Sequence, residues 1–311
     1  MTARVPVSSR PPSGELPGPR CVRAHNIAAD SGNPVHTLDG ARELGHAGVI
    51  IAGITTMGYL CHHPAMRWGA AWLDRGGIDL RLRRPVYEGQ QVRVAGQSIS
   101  AIELRLIAEI ADGATGTDGA TGTDGARRAD GDQPVDADPV AVATAWLGGA
   151  GPLPPWSHPG QSAPAGPPLP RDVEVLRGVR RLPARRFVLD PEWCAQTLRD
   201  VGEQDELGAR LYGAGVGAGV HPVVLADMAN QVLMAGIDLG PWLHLRTRLQ
   251  HHAAVHVGDR VELRCLLIEV ELRPVGLTLT ADLAAVRDGL VVARLEHVAV
   301  VDPIPADRTH N

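Results

Sequence analysis

A short segment of this chain has a similar counterpart later in the sequence. Val86-Tyr87-Glu88-Gly89-Gln90-Gln91-Val92 aligns without gaps on Val255-His256-Val257-Gly258-Asp259-Arg260-Val261, with Gly89 and Gly258 in register. A repeat on this scale implies that one supersecondary unit has been built twice. The flanking patterns agree. In the first half an apolar helix-length segment, Val49 to His63, precedes strand-like runs at Gly77 to Arg84, Gln90 to Ser98, Ile102 to Ala111 and Val140 to Leu147. In the second half the helical segment is Val220 to Ala235, and the runs are His244 to Gln250, Arg260 to Val270, Gly276 to Val286 and Leu290 to Val300. Helical and alternating apolar patterns therefore follow in the same order twice.

Two stretches interrupt that order. Gly113 to Pro139 contains a direct repeat, GATGTDGATGTDGA, and almost nothing that could be buried, so it is expected to be a disordered insert. Gly148 to Asp172 is rich in proline and glycine and reads as a semi-extended linker. The expected organisation is a disordered leader over 1–20, a first domain over 21–147 with its insert at 112–139, a linker over 148–172, a second domain over 173–303 and a tail over 304–311.

Composition narrows the function. All thirty basic residues are arginine, and with a net charge of −5 there is no global field to gather polyanions. This looks like GC-rich codon usage, and nucleic acid is not an expected partner. Cys21, Cys61, Cys194 and Cys265 lie far apart without CxxC spacing, which offers neither a zinc ribbon nor a disulfide framework. No segment reaches the roughly 20 apolar residues needed to span a bilayer. A cytoplasmic protein without a membrane partner is the expectation.

A long helix wrapped by an antiparallel sheet is the hotdog fold, and two in tandem make a double hotdog, of the α+β class, although a helix followed by four strands is also compatible with other α+β folds. The expected fold has two such units with their sheets joined edge to edge, which would protect edges that otherwise invite aggregation.

The stretch His25 to His36, HNIAADSGNPVH, followed by Ala41 and Gly53, resembles the signature of MaoC-like (R)-specific enoyl-thioester hydratases, a pattern of the type S-G-D-x-N-P-[LIV]-H. Asn33, Pro34, Val35 and His36 match in place. The segment GGIDLRLRRPVYEGQQVRV also looks like the family's strand-turn-strand, and the resemblance covers roughly Cys21 to Ser98. It implies a hydro-lyase acting on acyl-CoA or acyl carrier protein thioesters, with no cofactor and no metal, and a homodimer is compatible with it. In that family an Asp and a His activate water and protonate C2, an Asn positions the water, and a helix-start glycine N–H holds the thioester oxygen. Such chemistry needs a base, an acid and donors for the developing enolate. On this sequence the roles would fall to His36, Asn33 and Gly53.

The sequence departs from the family where the carboxylate should be. Five residues before His36 stands Ser31, and Asp30 is one position away. In an extended segment a one-residue shift turns a side chain to the opposite face, so Asp30 could serve only through a bulge. Another carboxylate lies in His221 to Gln231, where Asp227 and Gln231 are similar to the D-x-x-x-Q stretch of polyketide synthase dehydratase domains, in which an Asp faces a His from the first hotdog. A polar stripe on an amphipathic helix accounts for the same pair. Arg81, Arg83 and Arg84 could border a pocket and hold coenzyme A phosphates. His62-His63 and His251-His252 point in different directions and lack a third ligand at useful spacing, so they read as packing or surface residues. A hydratase or dehydratase leads. A non-catalytic thioester-binding protein and a hotdog thioesterase, for which Asp227 would be the water-activating carboxylate, remain beside it.

Overall fold

The computed structural model describes residues 16–111, 138–148, 153, 154, 156, 166–213 and 215–304. Ten strands form one antiparallel sheet: β1 (Arg20–Arg23), β2 (Gly76–Leu82), β3 (Gln91–Ser100), β4 (Glu103–Ile110), β5 (Ala141–Leu147), β6 (Arg181–Val188), β7 (Trp242–His251), β8 (Arg260–Arg273), β9 (Gly276–Arg287) and β10 (Leu290–Val301). Their order is β1-β3-β4-β5-β2-β7-β10-β9-β8-β6. The helices are α1 (Leu38–Glu43), α2 (Gly53–Trp68), α3 (Ala70–Arg75), α4 (Val173–Gly178), α5 (Pro191–Asp200), α6 (Glu206–Leu211) and α7 (Pro222–Gly236). The two long helices, α2 and α7, are buried along most of their length, α2 against β3, β4 and β5 and α7 against β6 and β8, and they pack on each other. This is a double hotdog.

The duplication is visible bond by bond. Gln90 N–H donates to the Tyr87 carbonyl at 3.2 Å, and Asp259 N–H to the His256 carbonyl at 3.0 Å. Gly89 and Gly258 close these turns at φ of 82° and 96°, where a side chain would be strained. Ile50 bridges Tyr87 as Gly219 bridges His256. The offset that takes Gly89 to Gly258 also takes Asp79 to Arg248, and these two residues face each other where β2 pairs with β7. The halves therefore meet about a pseudo-two-fold axis through that pair, and the sheet edges of the two units are joined as expected.

Helix α2 starts at Gly53, not Val49, because Ile50 and Ile51 are held extended by Tyr87 and by the Val86 carbonyl. It continues past His63 through Pro64 and ends at Gly69, φ 56°. Strands β1 and β6 were absent from the sequence expectation. They are equivalent edge strands, and each ends in the same pair of bonds: Ala24 with Gln90 and Gly89, Leu189 with Asp259 and Gly258.

Residues 1–15, 112–137, 305–311 and most of 149–165, on which the leader, insert, tail and linker expectations rest, lie outside the described residues. At their margins the boundaries move. Leu16 packs on the core and Arg20 begins β1, so ordered chain starts before residue 21. Inside the expected linker Leu153 is buried, Trp156 Nε1 donates to Asp282 at 2.9 Å and Leu169 bridges Ile237. Apolar side chains of this size gain more from burial than an extended linker would allow.

The insert joins β4 to β5. Its counterpart in the second half is the two-residue turn Asp288-Gly289, φ 51° and 79°, between the paired Arg287 and Leu290. Both φ values are positive, as a tight hairpin requires. Replacing residues 112–137 by Asp-Gly should therefore leave the fold intact, and a shorter closure should stabilise it by about 1–2 kcal/mol. A thermal-unfolding midpoint raised by a few degrees is the expected result, and loss of folding would show that the insert has a structural role.

Glu203, between α5 and α6, is fully buried and ties β1 to α2. Arg20 Nη1 donates to its Oε1 at 2.5 Å, and His62 Nδ1 lies 2.9 and 3.1 Å from its two oxygens. Asp205 brings a further ligand atom within 4.8 Å of these groups, but Glu203 is already committed to the Arg20–His62 pair. Burial alone would raise the Glu203 pKa. The hydrogen bond from His62 and the nearby His62, His221 and Arg20 outweigh it and hold the carboxyl below its usual value. A depressed folded-state pKa contributes stability that is present above the unfolded value and lost as pH falls through the folded one. Arg20→Ala should cost about 3 kcal/mol near neutral pH by leaving a buried carboxylate short of a partner. Urea unfolding should show that gap narrowing as the carboxyl protonates in acid; a gap independent of pH would contradict the assignment.

Candidate functional site

Two adjoining cavities lie between the hotdogs and share Asn33, His36, Ala52, Asn230 and Trp242. One runs from Gly53 at the start of α2, beside His244 of β7, towards Arg83 and Arg84. The other continues to Ser31, Trp193 and Asp227. Both draw their walls from both halves of the chain.

His36 stands where they meet. Asn33 precedes a 3₁₀ turn, Pro34–His36, and its Oδ1 accepts from Val35 N–H, while Thr37 ends this turn and caps α1 through Gly40 N–H. Proline suits the first position of such a turn because its missing N–H would have no partner there. His36 is buried and its Nδ1 lies 2.8 Å from the Ile50 carbonyl. A carbonyl can only accept, so Nδ1 carries the proton and Nε2 is left with its lone pair. Burial lowers the His36 pKa, and the bond to Ile50 opposes that only in part.

Asn33 is engaged differently from the sequence expectation. Its Nδ2 donates to the Trp242 carbonyl at 2.9 Å and its Oδ1 accepts from Trp242 N–H at 3.3 Å. Both ends of the amide are taken by the first residue of β7, so Asn33 fastens the His36 turn to the second hotdog.

Gly53 is the first residue of α2. The helix has no side-chain cap at Ala52, so its leading N–H groups are not claimed from that side. A Cβ at Gly53 would meet Leu82 and fall 2.7 Å from His244 Nδ1, so a larger residue would require those side chains to shift. The equivalent helix start in the second half is Pro222, which has no N–H, and His221 Nδ1 caps Val223 N–H at 3.2 Å. Of these two helices, the first keeps its N-terminus open at a cavity.

The two carboxylates separate. Asp30 lies in an exposed turn and borders neither cavity, and no bulge brings it inward. Asp227, on α7, lines the cavity that His36 lines. Burial raises its pKa, while bonds from Gln231, at 2.9 Å, and Trp193 pull the other way. Ser31 borders the same cavity and accepts from Asn33 N–H at 3.3 Å.

Of the three arginines, Arg83 and Arg84 border the first cavity. Arg84 is paired with Asp138 at 3.2 Å. Arg81 faces the other side of the sheet, because β2 alternates and Leu80 and Leu82 turn inward.

His244 escaped the sequence reading. It is buried, stacks on His297 at 4.2 Å between centroids, and shares the Thr247 hydroxyl with it at 2.7 and 2.9 Å. Burial pushes its pKa down to about 4, so it is a neutral wall of the cavity. Within the strand pattern LHLRTRL nothing marks it from a solvent-facing residue.

No protein-family model matches the sequence, and no curated protein matches it significantly. Among solved structures, a MaoC-like dehydratase superposes over 91% of this chain and 97% of its own with a TM-score of 0.50 at 13% identity. A Mycobacterium tuberculosis protein described as a double hotdog covers 92% and 94%, with a TM-score of 0.48 and 16% identity. A protein assigned as an oleoyl thioesterase from Lactobacillus plantarum covers 91% and 96%, with a TM-score of 0.47 and 9% identity. The first of these likenesses establishes the architecture, which is the double hotdog already traced through the strands.

Proposed function

We propose that the protein is a hydratase or dehydratase of acyl thioesters, carried by acyl-CoA or an acyl carrier protein, with His36 and Asp227 as its proton-transfer pair. The observation that supports this is one cavity bordered by a His from the first hotdog, a carboxylate from the second, and an adjoining open helix start at Gly53. His36 with a lowered pKa and Asp227 with a raised one both favour their uncharged forms. A neutral base and a neutral acid held apart are what removal of water from a 3-hydroxyacyl thioester needs.

In that direction His36 Nε2 takes the C2 proton. The C–H electrons form the C2–C3 double bond, the C3–O bond breaks, and the hydroxyl leaves as water with the proton of Asp227. Charge developing on the thioester oxygen is met by the N–H groups at the start of α2, which favour an anion there. Hydration runs the same steps backwards, with Asp227 as base towards water and His36 as acid towards C2.

Purified protein should hydrate crotonyl-CoA, read as loss of the enoyl absorbance, without releasing free thiol. Thiol release in place of hydration would favour a thioesterase using Asp227 to activate water. Thioester binding with neither reaction would leave the non-catalytic alternative.

A further inference from the structure

We propose that the outer face of the sheet beside the tunnel mouth carries a polyphosphate site, formed by Arg81, Arg83 and Arg105, for the nucleotide end of coenzyme A. The proposal rests on the thioester reading above and decides between its two carriers.

The three arginines share one open groove. Along β2, Asp79 and Arg81 point away from the helix, and Arg83 continues the alternation beyond the strand end. Across the sheet, Thr144 of β5 faces both Asp79 and Arg105 of β4, and Val142 faces both Arg81 and Ile107. Arg105 and Arg81 thus sit two strands and one outward position apart. With strands about 4.8 Å apart, long side chains of this kind can reach one ligand.

Among the described residues their charge is uncompensated. The one carboxylate in the groove, Asp79, is held by Arg246 at 2.8 and 2.6 Å and by Arg248 at 3.3 Å. Glu296 approaches that same pair at 3.8 and 3.7 Å. Arg84 is taken by Asp138. Among the described residues no ion pair or side-chain hydrogen bond engages the guanidinium of Arg81, Arg83 or Arg105. Three free guanidinium groups in one groove, on a chain of net charge −5, form a local anion site of the kind that binds phosphates in pairs of hydrogen bonds.

The groove also connects with the chemistry, because Arg83 borders both it and the cavity that holds His36 and Gly53. A thioester seated at Gly53 has its pantetheine arm leading out past Arg83, and what lies at the far end of that arm comes to the groove. In coenzyme A that is a 3′-phosphorylated nucleoside diphosphate, compact and several-fold negative. A carrier protein offers one phosphodiester and then a folded surface, which brings a single phosphate to a cluster of three guanidinium groups.

Calorimetric titration with coenzyme A, 3′-dephospho-CoA and pantetheine tests this without turnover. Affinity should fall about tenfold or more on loss of the 3′-phosphate and again on loss of the diphosphate, and coenzyme A binding should weaken with added salt. Arg105→Glu, far from the acyl cavity and exposed, should reduce coenzyme A affinity at least tenfold and lower the ratio of kcat/KM for crotonyl-CoA to that for crotonyl-pantetheine. Equal affinity for coenzyme A and pantetheine, an unchanged Arg105→Glu variant, or preference for a carrier-protein thioester would overturn the proposal. If coenzyme A binds in an Arg105-dependent way while crotonyl-CoA is not hydrated, the groove stands and the hydratase reading falls. If crotonyl-pantetheine is hydrated as well as crotonyl-CoA, the groove falls alone.

Discussion

His36→Ala is expected to lower crotonyl-CoA hydration by about 10²- to 10⁴-fold, the loss usual for a general acid or base, with little change in thermal stability. The ring makes one hydrogen bond, to the Ile50 carbonyl, and its other nitrogen is left for the cavity. Removing it enlarges a cavity that is already there and leaves no buried charge behind. His36→Asn is the informative companion, since an amide can keep the bond to Ile50 without titrating. In the dehydration direction the required form of His36 is neutral, and burial lowers its pKa. The dehydration rate should therefore hold its plateau to a pH below the ordinary His value of about 6.5 before declining. A decline centred at or above that value, or full activity in both variants, would remove His36 from the reaction.

Much of the fold was legible because it is strongly patterned. Eight strand-like runs and two apolar helix segments appear in the structure within a few residues of their expected places, since alternation and helical periodicity report burial directly. The edge strands were not legible. β1 is four residues, RCVR, and β6, RLPARRFV, carries arginines and a proline, as an edge that must not recruit partners tends to. Their presence depends on the turns they embrace, at Gly89 and Gly258, and not on their own composition. The site divides in the same way. His36, Asn33 and Gly53 could be singled out as candidates because they lie within one local segment. That Asn33 spends its amide on Trp242, and that His244 stands over Gly53, are contacts between halves of the chain, and no local pattern encodes them.

On the proposed reading, the duplication also explains why one helix start and not two serves the reaction among the described residues. A pseudo-two-fold arrangement offers an equivalent position at the start of α7, but there Pro222 replaces Gly53 and His221 closes the helix end. What the second half contributes is instead α7 itself, whose Asp227 reaches the cavity of the first. If the proposed assignment holds, divergence after duplication left the helix start on one unit and the carboxylate on the other, and neither half alone carries the proposed set.

Asp227→Asn should accordingly cost hydration about 10²- to 10⁴-fold, while Asp30→Asn should leave it unchanged. Sequence proximity favours Asp30, three residues from Asn33, yet its side chain lies in an exposed turn outside both cavities. Asp227 is remote in sequence but shares a cavity with His36, and burial raises its pKa. A group of that kind keeps a transferable proton to higher pH than an exposed carboxyl does. The amide conserves shape and the contact with Gln231, so the loss would be chemical. It also makes a pH test available. In dehydration the wild-type rate should fall as pH rises through the Asp227 pKa, above the ordinary Asp range, and that fall should vanish in the variant, which has no proton to lose. Loss of activity in Asp30→Asn with Asp227→Asn intact would reverse the assignment and require the His25 to His36 segment to rearrange when substrate binds. Equal loss in both would mean that the two carboxyls are used in succession along one proton path.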